Sequence, residues 1–329
     1  MNKIEDIILK SLRKICTRCF PFSYEYGEVK SADVNKTSAL IYQYLVSGEP
    51  CMIGRFGAFE LATVTNYVGV INNYSLFKYI MGKQPQWWWN ENLIPHMKDN
   101  AGFYPLTEEN LCQFGELMLK DSIELDVLGS WLDTEYYIRG YIGNVERVVL
   151  HHLEPFWAEK PWTRALRGKK VLVVHPFANL IEKQYNENRD KLFPDPEILP
   201  EFELQTIEAV QSIGGSSNGF KNWFEALQFM KDQIDQCDYD ICLIGCGAYG
   251  FPLAAHVKRQ GKKAIHLGGA LQLLFGIKGK RWEDVHYFAP GENLRYDGDY
   301  RKLINEFWVR PEGDLMPKTA QKVEGGCYW

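Results

Sequence analysis

The sequence predicts an α/β fold, a mostly parallel sheet flanked by helices, on three observations. Short Val/Ile/Leu-rich runs alternate along the chain with longer helical patterns, which is the signature of βα units. Five of these runs read as strands buried on both faces: Cys51–Ile53, Leu125–Leu128, Lys170–Val174, Asp240–Ile244 and Lys263–Leu267. Each leads directly into a turn rich in Gly or polar residues: Gly54–Glu60, Gly129–Trp131, His175–Asn179, Gly245–Gly250 and Gly268–Ala270. In an open parallel sheet such turns gather at the carboxyl edge, where these folds bind ligands. Glycines there admit a ligand close to the backbone, and the helices that follow offer unpaired N–H groups to an anion. The expected architecture is therefore Rossmann-like, with a nucleotide or phosphate ligand at one edge.

Residues 1–18 carry a helical apolar stripe, Ile4, Ile7, Ile8, Leu12 and Ile15, with Lys10, Arg13, Lys14 and Arg18 among the polar positions. The stripe suits an interfacial membrane helix, or, as is commoner, a helix packed on the protein's own core. Lys36 to Gly48 reads as a second helix, Phe251 to Gln260 follows the fourth strand, and Ala270 to Gly276 follows the fifth. Trp223, Phe224 and Phe229 stand at helical spacing and read as core. The chain divides into an N-terminal helical extension (1–35), an α/β domain (36–308) and a tail (309–329) whose ending fits no prenylation signal.

Composition sets the outer limits. The 329 residues are 46% hydrophobic and 24% charged with a net charge of −5, which excludes disorder and disfavours a nucleic-acid partner. The longest uncharged stretch, Ile241 to Val257, falls just short of the ~18 residues a membrane span needs and is broken by three glycines and a proline. Glu5 and Asp6 interrupt any secretory signal. Eight cysteines then read as reduced thiols and the location as cytoplasmic; Cys16 and Cys19 form a lone pair without further zinc ligands. The aromatic share of 14%, with 10 Trp, is the unusual number.

Gly245–Gly250 is a literal G-x-G-x-x-G between a strand and a helix. No acid closes the next strand, which ends His266-Leu267-Gly268-Gly269, so a ligand turn is expected there and NAD is not. His175 ends a strand, where it can contact phosphate or sugar, move a proton, or bond a neighbouring loop. Asp133-Thr134-Glu135 is a candidate cation pair, whereas adjacent His151 and His152 would point to opposite faces of a strand. Lys278, Lys280 and Arg281 meet a diphosphate or form a solvated turn. Trp87-Trp88-Trp89 reads either as a sugar or acceptor platform, with Trp131, or as packing.

Gly54-Arg55-Phe56-Gly57-Ala58-Phe59-Glu60-Leu61 resembles the R-[FY]-G-D-G-E segment of the GT-D-type glycosyltransferases, found in bacterial glycan and surface-polysaccharide clusters. Leu243–Ala248 through Gly261–Gly269 is similar to that family's other recurrent unit, strand, glycine turn, helix, G-K, strand, glycine. The resemblance spans Lys36 to Trp282 and implies a GT-D-like fold transferring a sugar from a nucleotide-diphosphate donor to a glycan or lipid-linked acceptor, as in capsule synthesis. It implies nucleotide-sugar contacts at Gly54, Arg55, Phe56, Gly57, Gly245, Gly247, Gly268 and Gly269 and makes Glu60 a catalytic candidate; the strand ends add Ser130 to the contacts and His175 to the catalytic candidates. In the family an Asp and a Glu hold the metal; Glu60 stands at the Glu position and Ala58 at the Asp position. Mn²⁺ or Mg²⁺ would then rest on Glu60, on Asp133 or Glu135 as second ligand, or be replaced by cationic and backbone groups at the diphosphate. The alternatives are an inactive nucleotide-sugar-binding or scaffold subunit and a dinucleotide- or S-adenosylmethionine-dependent enzyme. Contact with the inner membrane or with polysaccharide-assembly proteins is the expected partnership.

Overall fold

The structure is a computed structural model and describes residues 3–26, 31–212, 219–284, 299–316, 319–323 and 325–329. Among the described residues seven strands form one sheet: β1 (Cys51–Gly54), β2 (Val127–Ser130), β3 (Glu146–Val149), β4 (Lys170–His175), β5 (Glu203–Glu208), β6 (Ile241–Ile244) and β7 (Lys263–His266). Their order is β3-β2-β1-β7-β6-β4-β5 and every pairing is parallel. The sheet is thus the Rossmann-like one the sequence predicts. The five apolar runs are β1, β2, β4, β6 and β7. The two strands without such a run, β3 and β5, are the two edges. β5 reads Glu-Leu-Gln-Thr-Ile-Glu and buries only Ile207, because an edge strand keeps much of its surface in water.

The helices are α1 (Lys3–Cys19), α2 (Val34–Val46), α3 (Ala58–Ile71), α4 (Leu76–Ile80), α5 (Ile94–Asp99), α6 (Glu108–Ser122), α7 (Arg139–Ile142), α8 (Ala178–Leu192), α9 (Trp223–Asp235), α10 (Gly250–Arg259), α11 (Leu271–Leu274) and α12 (Lys280–Glu283). Alternation along the strands sends side chains to two cores. Met52, Leu128, Leu172, Cys242 and Ala264 face one core, with Val64 of α3, Phe114 of α6, Trp223 of α9 and Leu253 of α10. Ile53, Val127, Val173, Leu243 and Ile265 face the other, with Ile41 of α2, Ile181 of α8 and Leu271 of α11.

This division follows from the direction of travel. The steps β1→β2, β5→β6 and β6→β7 run toward one edge of the sheet, and β4→β5 runs toward the other. Right-handed crossovers then place α8 on the face opposite α3, α9 and α10. The neighbours β4 and β6 therefore send their following helices to opposite faces, which opens a crevice at their carboxyl ends.

Two packing expectations need correction. Trp223 is fully buried and Phe224 partly so, but Phe229 is 42% exposed on the outer side of α9, against Phe220. The stripe on α1 does not pack on the core at all: Ile4, Ile7, Ile8, Leu12 and Ile15 are 44–72% exposed. The helix docks through its polar side instead. Arg13 donates to the Tyr79 and Gln84 carbonyls (3.2 and 2.7 Å) and to the Tyr137 hydroxyl (2.6 Å), and lies over the Tyr79 ring. The Trp88 indole donates to Asp6 at 2.8 Å. Among the described residues no helix is long and apolar enough to cross a membrane. All eight cysteines are free thiols.

Candidate functional site

A cleft of about 1100 Å³, counting its open mouth, lies along the carboxyl edge of the sheet and spans the switch point. It is lined after β1 by Arg55, Gly57 and Glu60, after β2 by Trp131 and at the end of β4 by His175. Val210–Ser212 follow β5, Gly245–Gly247 follow β6, and His266, Gly268 and Gly269 come from β7. The fold thus brings together Arg55, Gly57, Glu60, Trp131, His175, Gly245, Gly247, Gly268 and Gly269 with Arg281 of the basic turn.

The glycines serve different ends. Gly247 has φ +57° and nothing within 4 Å of where a Cβ would stand, so its backbone is open to the cleft. Gly250, the third glycine of the fingerprint, is a packing residue: a Cβ there would fall 2.2 Å from the His266 ring. Gly245 is pressed between the Gly268 carbonyl and the His175 ring, at 2.7 and 2.8 Å from its missing Cβ.

His175 is buried, and its Nδ1 accepts the Phe177 N–H at 3.0 Å. The proton therefore sits on Nε2, which makes the ring a neutral donor. Burial pushes its pKa down to about 3, so proton abstraction at neutral pH does not suit it. His266 is lowered to about 3 by burial and by the nearby Arg55 charge. Arg55 passes beneath Gly268 and lies 5.3 Å from the centroid of the Trp131 ring, whose indole donates to the Phe56 carbonyl at 3.0 Å. Glu60 sits in the first turn of α3 with its carboxylate curled back over Gly57, where a Cβ would lie 2.0 Å from Oε2. A negative charge is favoured at that helix end.

Among the helices of ten or more residues with a described N-cap, side-chain caps fall away from the cleft. Away from it, α2, α6 and α9 are capped by Asp33, Thr107 and Asn222, whose side chains accept backbone N–H groups. At it, α3, α8 and α10 begin at Gly57, Phe177 and Tyr249, none of which makes a side-chain capping bond. The N-terminal ends of three long helices therefore lie at one cleft, that of α3 under the Glu60 carboxylate and that of α10 extended by the turn Gly247–Tyr249.

Other expected site residues lie elsewhere. Gly54 is buried within β1, and Phe56 is fully buried, stacked on Phe251 at 4.5 Å between ring centroids. The Ser130 hydroxyl donates to Glu135, which also accepts the Trp131 and Leu132 N–H groups (3.0 and 3.1 Å) and the Tyr26 hydroxyl (3.1 Å). Glu135 is completely buried and Asp133 exposed, so the D-x-E is no cation pair. Glu60, Asp133 and Glu135 do not converge, and among the described residues no group of three or more His, Cys, Asp or Glu is placed to hold an ion. Among the described residues the three carboxylates form no shared Mn²⁺ or Mg²⁺ site, and only Glu60 lines the cleft.

Trp87, Trp88 and Trp89 are likewise outside the cleft. Trp87 stacks on Tyr74 at 4.7 Å, Trp88 holds Asp6 of α1, and Trp89 packs on the core. Asn66 fixes the loop by donating to the Gln86 and Trp88 carbonyls at 3.2 and 2.8 Å. The run packs against neighbouring rings, and Trp88 ties it to α1.

The tail supplies what the sequence did not announce. Tyr328 and Trp329 line the cleft with Val323, and Tyr328 lies so close on Gly269 that a Cβ there would be 2.2 Å from the ring. Arg281 completes this wall, its Nη1 donating to the Tyr328 hydroxyl at 3.2 Å. The Gln272 amide donates to the Tyr328 carbonyl at 3.1 Å, and the Trp329 indole to the Leu315 carbonyl at 2.8 Å. Of the basic turn Lys278, Lys280 and Arg281, only Arg281 reaches the cleft. Asn100 also lines it, with a buried Oδ1 that has no hydrogen-bond partner among the described residues. The available signal for the tail was the aromatic excess itself, since two of those rings are the last two residues.

Comparison with known proteins finds no family model, no curated protein and no solved structure that matches this chain.

Proposed function

We propose that this chain is a glycosyltransferase of the GT-D kind, moving a sugar from a nucleoside-diphosphate sugar to a glycan or lipid-linked acceptor in bacterial surface-polysaccharide synthesis. The observation that carries the reading is the convergence of Arg55 and Arg281 with the three helix ends on the cleft at the switch point. Such a set suits a diphosphate, whose oxygens accept charge-assisted bonds from guanidinium and backbone N–H groups. The likeness of Gly54–Leu61 and Leu243–Gly269 to that family's recurrent segments supports the same ligand.

In this reading the acceptor hydroxyl attacks the anomeric carbon as its bond to the diphosphate oxygen breaks, and the nucleoside diphosphate leaves with the electron pair. Glu60 takes the acceptor proton, and the guanidinium groups and helix ends stabilise the charge growing on the leaving group. His175 donates from Nε2 to a phosphate or sugar oxygen. Trp131 and Tyr328 offer faces for a base or a sugar ring. No step is routed through a cation. The free thiols accord with a reducing, cytoplasmic setting.

A panel of sugar nucleotides, read by thermal shift and by release of nucleoside diphosphate with and without Mn²⁺, tests the proposal. One donor class should raise Tm and be turned over without added metal. Stabilisation without turnover would favour the inactive binding subunit, and no response to any donor would remove the reading.

A further inference from the structure

We infer that α1 docks the protein on an anionic lipid surface, its outward apolar stripe entering the bilayer interface and its basic flank meeting the headgroups. This inference is independent of the chemistry in the cleft. An amphipathic helix on a globular protein ordinarily turns its apolar side inward; here the arrangement is reversed. At 100° per residue Ile7, Ile4, Ile15, Ile8 and Leu12 lie in a single arc, which Arg18 and Ser11 share between Ile7 and Ile4, and all five are 44–72% exposed. The opposite arc, Asp6, Lys10, Arg13 and Thr17, faces the protein. The three bonds of Arg13 and the bond from Trp88 to Asp6 hold that rotation, so the apolar arc is fixed outward.

Charge selects the occupant. Lys3 and Lys14 border the arc beyond Ile7, Arg18 lies within it next to Ile7, and all three are exposed, against one exposed acid, Glu5, on the other side. This local excess of positive charge runs against the chain's net charge of −5. The short helix α4 packs against α1 and adds exposed Leu76, Phe77 (71%) and Lys78, with exposed Lys83 just beyond it. An apolar arc beside a basic margin is complementary to acyl chains beneath anionic headgroups. The 17 residues of α1 are too few and too charged to span, so the helix would lie in the plane of the interface.

The test is flotation of the full chain with phosphatidylcholine vesicles, with and without about one third phosphatidylglycerol. The protein should float with the anionic vesicles only, and less so as salt is raised. Replacing Ile8→Asp and Ile15→Asp together should weaken binding more than ~10-fold, with Tm unchanged because both side chains are already in water. Lys14→Gln and Arg18→Gln should each cost ~5-fold. Failure of the wild type to float, or equal flotation of the isoleucine double variant, overturns the proposal. So does concentration-dependent self-association in lipid-free buffer that the same double variant abolishes, which would assign the stripe to a second copy of the chain.

Discussion

Arg55 and Arg281 reach one cleft from distant parts of the chain, and each tests the site by its removal. Arg55→Ala and Arg281→Ala should each weaken binding of the responsive sugar nucleotide by ~10–100-fold, the worth of a charge-assisted hydrogen bond, as measured by titration calorimetry. His175 and His266 make a separate prediction in pH. Their folded pKa values are lowered from 6.5 to about 3, so between those values the unfolded chain binds protons that the folded imidazoles do not. Their contribution is complete above pH 6.5 and is lost as pH falls toward 3. Urea midpoints taken at pH 6.5 and 5 should show His175→Gln and His266→Gln each sparing about 1–2 kcal/mol of that loss. Glu154 acts oppositely. Burial raises its pKa from 4.5 to about 7, so it withdraws stability as pH rises through that window and Glu154→Gln should steepen the acid loss. At this scale much was legible in the sequence: Arg55, Glu60 and His175 follow or end buried strands, and strand ends fix where their side chains emerge. Glu135 misled because a carboxylate two residues from another looks like a ligand pair, whereas its oxygens are taken by Ser130, Tyr26 and two backbone N–H groups. Nothing in the order of residues reveals that Tyr26 will lie there.

Elements show where periodicity suffices and where tertiary contact decides. The buried strands were plain from their apolar runs, but β3 and β5 carry mixed residues because each is an edge, and no local pattern separates them from loops. The tail is a sharper case, since its eleven last positions contain no strong helix or strand signal yet wall the cleft through Tyr328 and Trp329. Gly269→Ala should drive a methyl into the Tyr328 ring, lowering unfolding stability by about 1–3 kcal/mol and loosening ligand binding. The double variant with Tyr328→Ala should lose no more stability than Tyr328→Ala alone, because the clash has gone; additive losses would place the strain elsewhere. The tryptophan run behaves differently. Trp88→Phe removes the bond to Asp6 and should lower Tm by loosening α1, while sugar-nucleotide affinity stays at the wild-type value. A loss of affinity in that variant would return the loop to the binding site. Three adjacent indoles in sequence signal burial somewhere, but only the partner elements decide what they bury.

At the scale of the whole molecule, the place of the cleft follows from the reversal of direction at β4. Because α8 leaves to one face and α10 to the other, the crevice between β4 and β6 is set by topology before any side chain is chosen. The sequence then places an arginine after β1, a neutral histidine donor at the end of β4, open backbone at Gly247 and a second arginine on α12, all facing that crevice. The ends of α8 and α10, without side-chain caps, turn toward the cleft beside Arg55 and Arg281, while Glu60 covers the end of α3. The outward stripe of α1 is a second surface property; in the proposed function it would bring the transferase to acceptors carried on lipid. The most direct measurement of the central claim is the turnover and affinity of the responsive nucleoside-diphosphate sugar in wild type and in Arg55→Ala. The account predicts metal-independent release of nucleoside diphosphate by the wild type, and an affinity ~10–100-fold weaker in the variant. Equal affinity in the two proteins, or no affinity of the wild type for any nucleoside-diphosphate sugar, would contradict it.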